Sequence, residues 1–489
     1  MYIMDGNSKY IIKNHLKYKV NPWDHQILGT EYLYNHNFAG LFTDPGTGKT
    51  KMTIDAIINR GFKVVLIICT AAGAKYVWPK EIVKYSYTLP EDIVQLCEVS
   101  THKKVLLMQK SLESAKKNNK QGPLWVLVNY EGVWRTEFAK FLLKKTTKLD
   151  CIVCDESHRI KSPGSKCSRF LAQLSKKTPV RWVLTGTPFA ENPMDIYAQY
   201  RFLDPTIFGT RFADFKSKYQ NLDVHLSAAV GFPVLDKKNP YKNLDDLKKK
   251  AYSIAFRIPS TVKLPSVNER IVDFNLNKKA TNLYNTMVKE GLIANSKYYC
   301  EAENALTSQI RRKQITSGFI SAVNYETKQK KLFKIGDERK EALKGILESL
   351  PYNEPVVIFA QYRYDLKQIR KVAKEIGRKY SELSGTEDTE QEWQEGNSTI
   401  LGVQFSKGSE SVNLTRAHYQ IYYNMTNKLV LYEQSLKRVH RPGQTKPVYY
   451  YYIVAHLSSG KPCIDSLVME AIQKKQDIVR YVMEKEGTI

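Results

Sequence analysis

The sequence has few cysteines, no long apolar run and no internal repeat. Seven cysteines among 489 residues are too sparse for a disulfide framework. No apolar stretch reaches the roughly 18–20 residues that span a bilayer, and the start at Met1–Asp5 lacks the basic and then apolar layout of a signal peptide. The absence of a fixed-period repeat argues against a solenoid. We therefore expect a protein of the cytoplasm (the host-cell cytoplasm if it is viral), with the nucleus as an alternative, and no membrane association.

Acidic side chains are also scarce relative to basic ones. Asp and Glu number 49 against 75 Lys and Arg, which gives a formal net charge of +26. An excess of this size predicts a polyanionic partner, and nucleic acid is favoured over an anionic membrane surface. Hydrophobic residues make up 42% and charged residues 25%, as in a folded soluble chain, and the length predicts two or three domains.

Two regions contain short apolar runs rich in β-branched residues, alternating with helical patterns. Such runs are typical of strands buried on both faces of a parallel sheet, so both regions are predicted to be α/β. Between them the pattern is helical and rich in lysine, and apolar residues at helical spacing follow Asp465. The predicted organisation is a first α/β domain over residues 1–210, helical insertions and a linker over 211–349, a second α/β domain over 350–460, and a C-terminal helix within 461–489.

The strongest local motif is the glycine-containing segment Asp44–Thr50, which precedes a helical run. Small residues let the backbone curl so that its N–H groups face phosphate oxygens. Gly46, Thr47 and Gly48 are predicted to form this cradle. Lys49 is predicted to reach the β- and γ-phosphates of a nucleotide, and Thr50 to ligate Mg²⁺. Position 43, where the full phosphate-loop pattern has glycine, is threonine.

A second motif, Cys151–His158, ends a predicted buried strand with two adjacent carboxylates. A carboxylate at such a strand end can hold Mg²⁺, and its neighbour can orient and deprotonate the attacking water. Asp155 is assigned the first role and Glu156 the second. Cys151 and Cys154 have the spacing of a metal or redox pair, but residues three apart on a strand point to opposite faces.

Further motifs carry a resemblance to a known family. Leu184–Pro188 resembles motif III of superfamily-2 helicases, and Gln26 resembles their adenine-reading glutamine. The chain as a whole resembles the Swi/Snf family of superfamily-2 DNA translocases, of a minimal viral or bacterial type. The matching segments are Trp78–Glu81, Asn129–Glu131, Asp155–Ser162, Ile358–Phe359, Gly408–Leu414 and Gln434–Gln444.

The resemblance implies two RecA-like domains that close on ATP and Mg²⁺, and a DNA-dependent ATPase that moves along duplex DNA. It also implies that Arg438 and Arg441 of the second domain reach the γ-phosphate. On the expectation that one helix contains both, their offset of three places them on one face. Lys248–Lys250 and Arg311–Lys313 are candidate contacts to DNA phosphates.

The predicted function is an ATP-dependent double-stranded DNA translocase, acting as a monomer, with unidentified protein partners. One alternative is a strand-separating or branch-migrating helicase, which would bind branched or single-stranded DNA. An alternative of another class is a nucleotide-gated DNA-binding module that does not hydrolyse ATP.

Overall fold

A computed structural model describes residues 11–117, 122–258, 263–408 and 412–483. The chain forms two compact units. Unit 1 comprises Met1–Thr261 and Asp477–Ile489, and unit 2 comprises Val262–Gln476. Across the described ranges, no helix combines the length and the apolar character needed to cross a membrane.

Unit 1 is built on a seven-stranded sheet in which every pairing is parallel. The strands of unit 1, including an N-terminal antiparallel pair formed by the first two, are β1 (Ile11–Lys13), β2 (Leu16–Tyr18), β3 (Phe38–Leu41), β4 (Val64–Cys69), β5 (Ile93–Gln95), β6 (Leu124–Asn129), β7 (Cys151–Asp155), β8 (Val180–Leu184) and β9 (Ala255–Phe256). The order across the sheet is β5-β6-β4-β7-β8-β3-β9. The central strands β4, β6, β7 and β8 are mainly apolar because both of their faces are buried.

Helices cover both faces of this sheet, and each face has its own apolar core. The helices of unit 1 are α1 (Asp24–Asn35), α2 (Lys49–Asn59), α3 (Trp78–Tyr85), α4 (Thr101–Lys117), α5 (Tyr130–Val133), α6 (Thr136–Leu142), α7 (Lys166–Leu174), α8 (Ile196–Leu203), α9 (Pro205–Phe208), α10 (Phe212–Tyr219), α11 (Val224–Val230) and α12 (Leu244–Tyr252). The segments that leave the carboxyl ends of β3, β4, β6, β7 and β8 therefore emerge at the same edge of one parallel sheet, where ligands bind in open α/β folds.

Unit 2 contains a six-stranded parallel sheet and a separate antiparallel sheet of four strands. Its strands are β10 (Val267–Asn275), β11 (Leu292–Ala294), β12 (Tyr298–Glu301), β13 (Phe319–Asn324), β14 (Lys330–Lys334), β15 (Val356–Ala360), β16 (Tyr380–Leu383), β17 (Ile400–Gln404), β18 (Tyr419–Tyr422) and β19 (Val448–His456). The parallel sheet has the order β10-β19-β18-β15-β17-β16, and the antiparallel sheet has the order β11-β12-β13-β14.

Helices pack against both sheets of unit 2, and the last helix continues into unit 1. The helices are α13 (Lys278–Lys289), α14 (Ala305–Thr316), α15 (Glu338–Ser349), α16 (Arg363–Glu375), α17 (Glu390–Gln394), α18 (Phe405–Gly408), α19 (Leu429–Val439) and α20 (Ile464–Met483). The division between the units falls within α20, whose Val482 is buried in the core of unit 1. The α/β class with two parallel sheets is confirmed.

The interval 211–349 differs from the helical linker that the sequence predicts. It is divided between the two units, and it supplies β9 to the first sheet and β10 to the second. It also contains the whole antiparallel sheet. Strand β9 has two residues, too few to show a period, and β10 is a largely exposed edge strand with many polar side chains. Neither therefore has the continuous apolar run that identifies the central strands.

Candidate nucleotide-binding site

The segment between β3 and α2 forms a tight loop with the geometry of a phosphate cradle. Gly46 and Gly48 have φ of 85° and 90°, which favours glycine, and α2 begins directly after Gly48. Lys49 Nζ donates to the carbonyl oxygens of Thr43 and Asp44 at 2.8 and 3.2 Å, so the ammonium lies over the loop. Threonine at position 43 is accommodated because its hydroxyl is 2.8 Å from that of Thr47.

Gln26 lies against this loop, although it precedes the loop by about twenty residues. Its Nε2 donates to the Thr47 carbonyl at 3.2 Å, and its Oε1 accepts from the Trp23 backbone N–H at 3.1 Å. A Cβ on Gly48 would collide with Gln26 Nε2. The backbone conformation of Gly48 therefore favours glycine, and a side chain at this position would also displace the Gln26 amide from the loop.

The Asp155 carboxylate lies at the carboxyl end of β7, and two aromatic residues position the strand end. Trp78 Nε1 donates to Asp155 Oδ2 at 2.9 Å, and the Tyr130 hydroxyl donates to the Asp155 carbonyl at 2.7 Å. Burial, and then the charge of Glu156, raise the pKa of Asp155 to about 6, against the lowering effect of the Trp78 hydrogen bond and of Lys49. Glu156 itself has a left-handed backbone, with φ 54° and ψ 50°. Such strain in a residue other than glycine is typical of functional sites.

The loop after β8 connects the phosphate loop to the acidic motif at Asp155 and Glu156. His158 Nδ1 is 3.2 Å from the Thr185 hydroxyl and 3.4 Å from Glu156 Oε2, and burial lowers the pKa of His158. A Cβ on Gly186 would lie 3.1 Å from Pro45 and 3.4 Å from the Thr43 carbonyl. The predicted motif III therefore packs on the phosphate loop and also contacts the acidic motif.

The residues at this sheet edge suit ATP and Mg²⁺. The loop presents a lysine and the N-terminus of α2, both of which favour phosphate. Asp155 and Glu156 are adjacent carboxylates, and burial, together with the charge of Glu156, raises the pKa of Asp155 although Lys49 lies nearby. Carboxylate and hydroxyl oxygens are the ligands that Mg²⁺ prefers, and Asp155 and Thr50 could supply them.

The two cysteines of the acidic motif are buried in the apolar cores of unit 1. Cys151 belongs to the apolar core on one face of the first sheet and Cys154 to the core on the other, as the alternation of a strand requires. Burial raises the pKa of both thiols. Within the described ranges, no group of three or more His, Cys, Asp or Glu side chains could hold a metal ion.

Arg438 and Arg441 lie in unit 2, and the expectation that they share one helix is wrong. Arg438 is in the last turn of α19, largely buried, with Nη1 3.4 Å from the Val412 carbonyl. The helix ends at Val439 because Pro442 disfavours helical backbone at Arg441 and Gly443 has φ 105°. Arg441 therefore lies in the following turn, where burial lowers its pKa. Residues 409–411 of the predicted motif V are outside the described ranges.

In the cluster Arg311–Lys313, Arg311 and Arg312 are half-buried, and Lys313 cannot make the DNA contact that the sequence predicts. Lys313 is 2% exposed and donates to Gln361 Oε1 at 2.8 Å, to Asn427 Oδ1 at 3.0 Å and to the Met425 carbonyl. Burial lowers its pKa to about 8. A lysine held by three acceptors in the interior cannot also contact DNA. In the other cluster, Lys249 is exposed and Lys250 pairs with Asp246 at 3.8 Å.

The contacts of three residues at the site were not predicted from the sequence. Trp78 and Tyr130 belong to segments that carry the family resemblance, but no local pattern explains why an indole and a phenol stand at these positions. Gln199 of α8 accepts from the Ser157 hydroxyl at 2.7 Å and donates to the Pro188 carbonyl at 2.6 Å, which joins the acidic motif to motif III. Nothing in the local sequence around Gln199 indicates this contact.

Two family descriptions match the chain. The SNF2-related domain matches residues 25–342, and the helicase conserved C-terminal domain matches residues 338–443. Protein p41 of Acyrthosiphon pisum secondary endosymbiont phage 1 is 24% identical over 483 residues, which cover 95% of this chain and 97% of that protein. The SWI/SNF-related matrix-associated actin-dependent regulator of chromatin subfamily A-like protein 1 of Drosophila melanogaster is 22% identical, covering 85% of this chain and 50% of that protein.

Among solved structures, the Sulfolobus solfataricus SWI2/SNF2 ATPase core in complex with dsDNA covers 95% of this chain and 93% of its own, at 19% identity and a TM-score of 0.40. The chain thus spans nearly all of the phage protein but half of the fly protein. Because the SNF2-related domain alone matches well over half of its residues, the chain belongs to the SNF2-related family of helicase-like ATPases.

Proposed function

We propose that the chain is a motor that couples ATP hydrolysis to movement along double-stranded DNA. The observation that carries the proposal is the meeting of the phosphate loop, the acidic pair and the motif III loop at one edge of the sheet in unit 1. These are the parts needed to bind a nucleoside triphosphate and to activate a water. The net charge of +26 supports a polyanionic track.

In this proposal the loop residues of unit 1 bind the nucleotide. The backbone N–H groups of Gly46, Thr47 and Gly48 surround the phosphates, and Lys49 turns from the loop carbonyls to the β- and γ-phosphates. Gln26, already fixed against the loop by its hydrogen bonds, recognises adenine.

The acidic pair supplies the hydrolytic chemistry. When bound, Mg²⁺ neutralises the charge that develops on the phosphates. Thr50 and Asp155 are its proposed ligands, and Trp78 holds the Asp155 carboxylate in place. Glu156 accepts a proton from the attacking water, whose oxygen bonds to the γ-phosphorus as the bond to the β-phosphate oxygen breaks.

Unit 2 is proposed to complete the site through its arginines. A guanidinium supplied from a second domain stabilises the charge on the transferring phosphoryl group, so hydrolysis would depend on closure of the two units. Arg441, in the turn after α19, is the main candidate, and Arg438 at the end of the helix is the second.

Relatives support DNA as the track. The human protein RAD54B, named for DNA repair and recombination, is 23% identical over 91% of this chain. The human protein ZRANB3, named a DNA annealing helicase and endonuclease, is 22% identical over 88% of it. For this chain we propose contacts to the phosphate backbone, so affinity should fall steeply with salt and depend little on sequence.

The test compares ATP hydrolysis with duplex, single-stranded, forked and RNA ligands at saturation, with Lys49→Ala as the inactive control. Movement is read by displacement of a third strand from a triplex. We expect duplex DNA to stimulate hydrolysis and the third strand to be released. Stimulation by forked DNA alone, with strand separation, would favour the helicase alternative. ATP binding without turnover on any ligand would favour the nucleotide-gated module.

A further inference from the structure

The antiparallel sheet of unit 2 ends in two adjacent hairpin turns that carry exposed lysines. Lys297 lies in the turn between β11 and β12, and Lys328 lies in the turn between β13 and β14, with Lys330 at the start of β14. All three side chains are exposed. The turns contact each other, since the Tyr325 backbone N–H donates to the Lys297 carbonyl at 3.0 Å. The lysines therefore belong to one surface.

Two tyrosines lie beside these lysines. The rings of Tyr299 and Tyr325 have centroids 4.8 Å apart and an interplanar angle of 31°, and Tyr325 is 43% exposed. Tyr299 is on β12 directly opposite Val323 of β13, so the pair spans both hairpins. The tip patch is defined here as Lys297, Lys328, Lys330, Tyr299 and Tyr325.

The basic side chains in and around this sheet fall into two groups, one with internal contacts and one exposed to solvent. Between residues 291 and 336 there are eight Lys and Arg against three Glu and no Asp. Arg311 donates to the carbonyls of Glu301 and Ser321, and Lys313 is buried, so these two groups hold α14 to its surroundings. The tip lysines have no such internal role, because their side chains extend from turns and from a strand end into solvent.

Protection of a sheet edge is the simpler explanation for part of this charge. Strand β14 is the edge of the sheet, and lysines on an edge strand prevent pairing with other chains. That accounts for the three lysines of β14, which are Lys330, Lys331 and Lys334, and Lys334 also pairs with Asp337. It does not account for lysines in both turns or for an exposed tyrosine between them. Glu326 is the one acidic residue in the two turns.

We propose that the tip patch binds the phosphate backbone of duplex DNA, as a contact separate from the nucleotide site. The lysine ammonium groups would neutralise phosphates, and the tyrosine hydroxyls can donate to phosphate oxygens. The choice of duplex as the occupant rests on the proposed function. None of these groups reads base edges, so the patch would add affinity without sequence preference.

The experiment uses the full chain with Lys297→Gln, Lys328→Gln and Lys330→Gln combined, which removes charge but keeps side-chain length. The matched control is Lys367→Gln, Lys371→Gln and Lys374→Gln, three exposed lysines on α16 of the same unit. Fluorescence anisotropy measures the affinity for a labelled duplex of random sequence, and for a single strand of equal length, at several salt concentrations.

The tip variant should bind the duplex more weakly than both the wild type and the control. Its plot of log affinity against log salt should be shallower by about one unit for each lysine, roughly three in all. Equal affinity and slope in the tip and control variants would overturn the proposal, and so would a loss confined to single-stranded DNA. Self-association of the tip variant with unchanged DNA affinity would establish edge protection instead.

The two proposals fail in different ways. If duplex DNA does not stimulate hydrolysis by the wild-type protein, the motor function is wrong, while the binding comparison still tests the patch. If the wild type is stimulated and the tip variant binds as the wild type does, the patch is wrong and the motor stands.

Discussion

The two units differ in what surrounds the residues of their motifs. In unit 1 the phosphate loop, Asp155, Glu156 and the loop after β8 contact one another at a single sheet edge. In unit 2 the basic residues that the sequence marks are dispersed: Lys313 is interior, Arg438 is largely buried, and Arg441 lies beyond the helix. The comparison indicates that a sequence motif locates a functional site when its residues directly follow the strands of a parallel sheet. A basic residue, in contrast, can be assigned to a surface contact only when its burial is known.

The largest expected effect tests whether Arg441 of unit 2 contributes to catalysis. Arg441→Ala should lower DNA-stimulated hydrolysis by about 10³–10⁵-fold, the range for an arginine that stabilises a transferring phosphoryl group. ATP and DNA affinities, measured separately, should change far less. Steady-state ATP hydrolysis with saturating duplex, alongside a nucleotide-binding titration, is the measurement.

Arg441→Lys is the matched variant. An ammonium cannot reproduce the planar two-pronged contact of a guanidinium, so it should restore little of the rate. Undiminished turnover in Arg441→Ala would exclude Arg441 from the reaction and would leave Arg438 as the candidate arginine of unit 2.

The next effect separates binding from chemistry within unit 1. Glu156→Gln removes the proposed base and should reduce turnover by about 10²–10⁴-fold while ATP still binds. Lys49→Ala should instead lose nucleotide affinity, because the loop loses its cation. Near-normal turnover in Glu156→Gln would show that another group activates the water.

The third effect tests the interior role of Lys313. Lys313→Met leaves three acceptors without their donor and should lower the free energy of unfolding by about 2–3 kcal/mol. Lys367→Met, an exposed change on α16, should stay within about 0.5 kcal/mol of the wild type. Denaturant unfolding measures both variants, and Lys313→Met should leave the salt slope of DNA binding unchanged.

The stability difference at Lys313 should also depend on pH. The pKa of Lys313 is lowered from 10.5 to about 8, mainly by burial. Between these values the folded protein has released a proton that the unfolded chain keeps, so the wild type gains stability with rising pH relative to Lys313→Met. The difference between the two proteins should widen from about pH 8 to about pH 10. A constant difference would mean that Lys313 titrates as an exposed lysine.

The sequence predicts the parts of the fold whose signal is local. Strands β4, β6, β7 and β8 consist mainly of apolar residues because both faces are buried, and the Gly46–Thr50 segment has a strict conformational requirement. Strand β10 was missed because it pairs with the distant strand β19 and is largely exposed and polar. The antiparallel sheet was missed although its hairpins are local, because β11 and β12 are short and β14 is rich in exposed lysine. Likewise, no local pattern distinguishes buried Lys313 from exposed Lys330.

The smallest expected effect concerns how unit 1 orients its own carboxylate. Trp78→Phe keeps an aromatic ring but removes the donor that holds Asp155 Oδ2 at 2.9 Å. Trp78 is a positioning residue, because it acts through Asp155. Groups that orient a metal ligand typically contribute about 10–100-fold to metal affinity. We therefore expect the Mg²⁺ concentration for half-maximal hydrolysis to rise by about tenfold, with a smaller change at saturating Mg²⁺.

Trp182→Phe separates this effect from a general loss of packing. Trp182 is also fully buried in unit 1, and its Nε1 donates at 3.0 Å to the His36 carbonyl, away from the acidic pair. Both variants lose one partly buried hydrogen bond, so both should lose stability to a similar degree, about 1–3 kcal/mol. A shift in Mg²⁺ dependence in the Trp78 variant alone assigns the indole to the orientation of Asp155. Equal shifts in both variants would mean that the Mg²⁺ dependence of hydrolysis changes with the stability of unit 1. The Trp78 indole would then have no specific role in orienting Asp155.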